Sequence, residues 1–376
     1  SRLIYLFFVI LLVSSAVYPQ FRPYKFKRIT LADGLSQSSV GRIFEDKQGF
    51  IWISTEDGLN RYDGSSIKVY RHSPSDSNSI MSSWVGGFLE DKHGNLWMLP
   101  YSNGLVMYDR KSDSFKNFYY PEKTDNISML YDTERDLIWL SVKNQVYYFH
   151  TETKIFNKAL PDTAITSPSI LFHDNTALII SPSKLYMVDL DTKKVEQIVV
   201  KIQTNPNISF GSTVCFNDGG ILTGSTYGVF KYSFENNTGE QITKINTLNS
   251  GEVSLKSETF VFDQGGEFMW ISILNGGLIR VNGKNRREAV FYSDSPNQLL
   301  KYSISSNKVL HLTVDQSGTL WLCTDFGISY FDTSLDRFVA LFNTPNGNSN
   351  RKVDSYNFAF TDRAGNTWLS TRLEGV

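Results

Sequence analysis

The chain has 376 residues, of which 37 are basic and 38 acidic, so its net charge of −1 provides no basic stripe and nucleic acid is not an expected partner. Hydrophobic residues make up 41% and aromatic ones 14%, enough for a large core, while two cysteines are too few for a disulfide framework. Five histidines lie scattered with no metal-ligand spacing, so neither a metal site nor a cofactor is expected.

In chain order, Arg2 precedes an apolar run from Leu3 to Val13, followed by the small residues Ser14, Ser15 and Ala16. This is the pattern of a secretory signal peptide over residues 1–20. As a helix the run would reach about 16 Å, roughly half a bilayer core, which argues against an anchor. The missing initiator Met and the stop inside a repeat are read as marks of a fragment. Next comes "YKFKRIT", Tyr24 to Thr30, an extended segment with no Trp strand of its own.

From there a phrase recurs: an Asp turn, a Trp strand, a Gly turn and a Tyr-Asp ending. It reads "EDKQGFIWISTEDGLNRYD" at 45–63, "EDKHGNLWMLPYSNGLVMYD" at 90–109 and "VDQSGTLWLCTDFGISYFD" at 314–332. The Trp position is held by Trp52, Trp97, Trp139, Trp270, Trp321 and Trp368, and by Leu178 and Leu222 in the wide gap, at spacings of 39 to 51 residues. Within a unit the apolar period is two, and Gly, Asn, Asp and Ser separate the strands, so each unit holds about four short antiparallel strands. "SIKVYRH", "SFKNFYY" and "RFVALF" would be outer strands of the first, second and seventh units.

A unit of this kind cannot bury its own apolar face, and radial repetition of four-stranded sheets makes an all-β β-propeller. Seven blades over 21–342 are favoured, with Tyr24–Thr30 as the outermost strand of the last, and 343–376 as the start of a second, truncated propeller. Eight blades are the alternative. Asp46, Asp91, Asp315 and Asp362 each open the same turn and are expected to accept backbone N–H bonds two or three residues on, rather than to bind calcium. The Trp residues are assigned to packing between blades, and Cys215 and Cys323 are expected to be free and buried.

No phosphate-binding loop, nucleophile elbow or HExxH helix occurs, and no catalytic residue is assigned. The turns that follow the Trp strands vary, and in a propeller they share one rim with the connections between blades. Glu56, Asp57, Tyr101, Asn103, Lys143, Asn144, Tyr227, Asn275, Asp325 and Phe326 fall there, together with Trp84 in the connection "SSWVGG". Aromatic faces among Asn, Asp and Lys suit a sugar, whose C–H face stacks on rings while its hydroxyls need donors and acceptors.

"ADGLSQSSV" followed by "DKQGFIWISTEDGLNRYDG" resembles the first blade of the two-component regulator propeller family, and weaker copies cover 24–376. The resemblance implies the periplasmic sensor region of a hybrid two-component histidine kinase of glycan-degrading Bacteroidetes. It further implies two seven-bladed propellers, a β-sandwich, one membrane helix, a kinase, a receiver and a DNA-binding module, with a homodimer in the full protein. Membrane attachment would come only through the segment missing from this sequence. The expected function is non-enzymatic binding of an oligosaccharide that controls the kinase. A secreted propeller lyase or glycosidase, or a protein-binding scaffold, stays open.

Overall fold

The computed structural model describes residues 26–120, 126–142, 145–160, 169–173, 175–181, 184–198, 210–215, 220–225, 228–233, 238–242, 244–247, 251–254, 259–266, 268–282, 289–292, 303–333, 356–361 and 367–371. The expected signal peptide and "RFVALF" at 337–342 lie outside them.

Blade 1 comprises Val40–Glu45, Ile51–Thr55, Gly58–Tyr62 and Ile67–Tyr70, and blade 2 comprises Val85–Glu90, Leu96–Pro100, Gly104–Asp109 and Ser114–Tyr119. Blade 3 is Asn126–Asp132, Leu137–Val142, Gln145–His150 and Phe156–Lys158; blade 4 is Ser169–His173, Thr176–Ser181, Lys184–Asp189 and Val195–Ile198. Blade 5 is Phe210–Cys215, Gly220–Ser225, Gly228–Ser233 and Thr238–Ile242; blade 6 is Phe260–Phe262, Phe268–Ile273, Gly277–Asn282 and Ala289–Tyr292. A hairpin of Lys244–Thr247 and Gly251–Ser254 lies between these two in sequence. Blade 7 is Val309–Val314, Thr319–Thr324 and Gly327–Asp332, and its fourth, outer strand is Lys27–Ile29, from the other end of the chain.

That outer position is the one expected for a strand within Tyr24–Thr30: Lys27 pairs with Tyr330 and Ile29 with Ile328, so it is not open to "RFVALF". Borrowing the strand covers an edge that would otherwise present open backbone groups. The eight-bladed alternative is also excluded, because blade 7 packs directly on blade 1: Trp321, Cys323 and Ile328 share one buried cluster with Ile43, Ile51 and Ile53. The compact unit so formed runs to Thr333. A second unit, Ser334–Val376, contains Tyr356–Thr361 paired antiparallel with Thr367–Thr371.

The Trp register explains the packing, because alternation in the second strand aims Trp52, Trp97, Trp139, Trp270 and Trp321 at the following blade, while the Trp368 side chain lies outside the described residues. Trp52 lies among Val85, Leu96 and Met98 of blade 2, Trp97 against Ile138 and Leu140 of blade 3, and Trp139 against Ala177 and Ile179 of blade 4. Trp270 does the same with Leu312 and Leu320 of blade 7. Lysines at the last turn of the next blade cap two of these rings, with Lys154 Nζ 4.8 Å from the Trp97 ring and Lys193 Nζ 5.3 Å from that of Trp139.

The repeated aspartate is a turn residue, with one addition and one correction. Asp46 Oδ1 accepts an N–H bond from Gln48, two residues on as expected, and a second from Phe50, four residues on rather than three. Its Oδ2 accepts the Trp52 indole N–H at 2.8 Å, and Asp91–Trp97 and Asp315–Trp321 repeat that bond at 2.8 Å. One carboxylate thus fixes both the turn and the packing rotamer of the Trp. Blade 3 has one more residue between Asp132 and Trp139; there Asp132 bonds residues two and three on, and the buried Trp139 indole N–H has no acceptor among the described residues.

A second interblade clamp centres on Asp113, in the last turn of blade 2. It accepts from the hydroxyls of Tyr70 (2.7 Å) and Tyr108 (2.5 Å) and from the Lys68 ammonium of blade 1. Burial alone would raise this carboxyl, but the bonds from Lys68, Tyr108 and Tyr70 outweigh it and hold it at about 2. A carboxyl lowered on folding stabilises the fold above its unfolded value near 4, and that contribution is lost as pH falls through about 2. Asp113→Asn is therefore expected to lower stability at neutral pH by only about 1 kcal/mol, because the side chain is 37% exposed and screened by water. Urea midpoints measured from pH 7 downward should show the variant and parent converging below pH 4.

Candidate functional site

In an up-and-down sheet the turn between strands two and three lies at the same end as the connection to the next blade. Glu56, Asp57, Tyr101, Asn103, Asn275, Asp325 and Phe326 all occupy such turns, and Trp84 sits in the connection from blade 1 to blade 2. Lys143, Asn144 and Tyr227, the remaining expected contacts, lie outside the described residues.

The structure brings two of the expected residues into direct contact. Trp84 and Tyr101 stack with ring centroids 3.8 Å apart at 28°, and the Tyr101 N–H donates to the Trp84 carbonyl at 2.9 Å. Glycines make room for the pair: a Cβ at Gly41 would lie 3.3 Å from Trp84 Nε1, and one at Gly86 3.1 Å from the Tyr101 ring. The stack therefore rests on the innermost strands of blades 1 and 2, at the mouth of the central channel, with the Tyr101 ring half-exposed.

The other rim residues are separate features. Glu56 is anchored through its backbone N–H to Gln37 Oε1 at 3.1 Å, and Asp57 pairs with Arg71 at 2.8 Å. Asn275 takes a positive φ of 53° at the corner of its turn. Asp325 buries its Oδ1 without a hydrogen-bond partner among the described residues, beside Phe326, whose side chain is 72% exposed. The exposed large apolar side chains collect at this end: Leu31, Tyr101, Tyr119, Leu274 and Phe326 are here, whereas Ile155 is at the opposite end.

Below the stack is a cavity of about 400 Å³, lined by innermost strands of blades 1, 2, 3 and 7. Four of these strands carry a bulge near their start, between Val40 and Arg42, Val85 and Gly87, Asn126 and Ser128, and Val309 and His311. The residue after each bulge lines the cavity, so Arg42, Gly87, Ser128 and His311 form one layer. Sequence reasoning missed this layer. Its only local signal is the "VGR" and "VGG" at two bulges, and Arg42 and His311 meet only when blade 7 closes on blade 1. Burial, and next the Arg42 charge, pull His311 well below its ordinary value, so the ring is neutral at pH 7.

Among the described residues no group of three or more His, Cys, Asp or Glu is placed to hold a metal ion, and no helix is long and apolar enough to cross a membrane. Cys323 is free and buried, and burial pushes its thiol far up; the Cys215 side chain lies outside the description.

Residues 34–57 match the family model described as Two component regulator propeller, so the chain carries that family's repeat. A stretch of 55 residues is 56% identical to Histidine kinase P4 of Formosa agariphila, covering 15% of this chain and 4% of that protein. The extracellular domain of the hybrid two component system BT3049 from B. thetaiotaomicron superposes with a TM-score of 0.65 at 19% identity, over 94% of this chain and 53% of that one. Streptogramin B lyase superposes with a TM-score of 0.61 at 14% identity, over 82% of this chain and 97% of the lyase. The chain thus spans about half the length of the BT3049 domain and a small part of the kinase. At these identities the two superpositions establish the β-propeller fold.

Proposed function

We propose that this chain, a propeller carrying the two component regulator repeat, is the ligand-sensing region of a hybrid two-component signalling protein. It lies outside the inner membrane, in the periplasm, and binds an oligosaccharide that controls a kinase elsewhere in the protein. The observation that carries the ligand class is the half-exposed Trp84–Tyr101 stack at the channel mouth. A flat aromatic surface among Asn and Asp turns suits the C–H face and hydroxyls of a sugar ring. The likeness to an extracellular domain of a hybrid two component system supports the sensor role. Residues 343–376 are read as opening a second propeller, and the full-length protein as a homodimer. A coupling of about 1 to 3 kcal/mol between ligand and dimer geometry would suffice to switch a kinase.

The test is calorimetric titration of the purified protein against size-defined oligosaccharides, each mixture being checked afterwards for cleavage. Saturable binding without turnover supports the proposal. Cleavage would move the chain to the enzymes, and silence across the panel would favour a protein partner. Tyr101→Ala is expected to weaken binding about tenfold, equivalent to about 1.4 kcal/mol of stacking.

A further inference from the structure

We propose that the cavity below the aromatic stack is an oxyanion-binding site, which takes the carboxylate or sulfate group of a small ligand on Arg42, with His311, Ser128 and Thr313 beside it. The assignment does not depend on the rim binding a neutral glycan.

The Arg42 guanidinium is held by two backbone carbonyls. Arg42 Nε donates to the Gly86 carbonyl at 3.2 Å and Nη1 to the Gly41 carbonyl at 3.2 Å. Those bonds fix its plane across the junction of blades 1 and 2. Nη2 makes no hydrogen bond, and no carboxylate pairs with Arg42, among the described residues. The described lining contains no acidic residue at all.

A partly buried cation without a counter-charge is costly, and a cleft with low-dielectric walls focuses its field on whatever enters. A preorganised guanidinium edge matches the two oxygens of a carboxylate or sulfate.

His311 supplies the second observation. Its Nδ1 is buried and has no hydrogen-bond partner among the described residues. A buried polar atom left unpaired is a penalty that an incoming acceptor or donor removes. As a neutral ring, held so by burial and the Arg42 charge, it can turn an N–H towards an oxyanion. Ser128 and Thr313 line the same cavity. The cavity volume of about 400 Å³ falls in the range of small-molecule sites.

The experiment titrates the protein with glucuronate, glucose 6-sulfate and glucose, with the histidine ring nitrogens followed by NMR. Saturable binding of a charged sugar that shifts the His311 resonances, with glucose at least tenfold weaker, is the expected result. Which charged sugar binds tells carboxylate from sulfate. Arg42→Gln should weaken that binding at least tenfold, its fold being checked by an unchanged urea midpoint. If that variant does not fold, the parent His311 shift decides. The proposal is overturned if glucose binds as well as the charged sugars, if neither charged sugar binds, if the His311 resonances stay still, or if folded Arg42→Gln binds like the parent.

Discussion

Replacing Trp97 by alanine is expected to destabilise the propeller by about 4 kcal/mol, a large part of the stability of a typical domain. The side chain is fully buried, meets Phe149 of the next blade edge-on at 5.4 Å, and carries the Lys154 ammonium over its face. Truncation leaves a cavity between two sheets, each braced by its own hydrogen bonds and so unable to collapse into it. It also frees Asp91 Oδ2 from the indole N–H, although Asn95 still donates to that oxygen at 2.8 Å. The milder substitution to phenylalanine isolates that last component. Trp97→Phe loses an indole bond, whereas Trp139→Phe loses none, because the buried N–H of Trp139 has no acceptor among the described residues. Trp97→Phe should therefore cost about 1 kcal/mol more than Trp139→Phe in urea denaturation. Equal losses would mean that the Asp–Trp bond contributes nothing beyond the turn.

That bond shows where the sequence was legible and where it was not. The Asp turn and the Trp strand could each be read from residue type and spacing, because each obeys a local rule: a side chain accepting from its own turn, and a period of two. The bond between Asp46 and Trp52 crosses a hairpin, and its presence depends on the number of residues in the turn. One extra residue in blade 3 removes it without disturbing the repeat. The rim was legible in the same partial way. Tyr101 and Trp84 stood out singly as aromatic residues away from the packing register, but their stacking depends on a connection folding back on a later hairpin. The channel layer was all but hidden, since Arg42 and His311 come from the first and last blades, and apart from the glycine before Arg42 nothing local distinguishes either from an ordinary strand residue. Closure itself left a trace: "YKFKRIT" had strand character and no Trp partner strand, which is what a segment completing another blade must look like.

Closure is also where the second large effect is expected. Removing every residue before Leu31 takes Lys27–Ile29 from blade 7 and with it the buried Phe26 and Ile29 side chains. Two buried apolar side chains at about 1.5 to 3 kcal/mol each put the loss near 4 kcal/mol, before the strand's backbone bonds are considered. The Phe26 ring meets Phe331 edge-on at 4.9 Å, so the damage extends into the packing of blade 7. The bared edge of Gly327–Asp332 would then pair with other chains, and concentration-dependent association in sedimentation should accompany the lower urea midpoint. A synthetic peptide of residues 24–34 should restore the midpoint in trans. Gly327→Ala tests the same junction with the full chain present. Its φ is +91°, and a Cβ there would lie 2.6 Å from the Ile29 carbonyl oxygen, so the substitution pushes directly on the strand that closes the ring. If the truncated protein kept its midpoint and stayed monomeric, the N-terminal strand would be a decoration on a ring already held shut by Trp321 and Ile328 against blade 1.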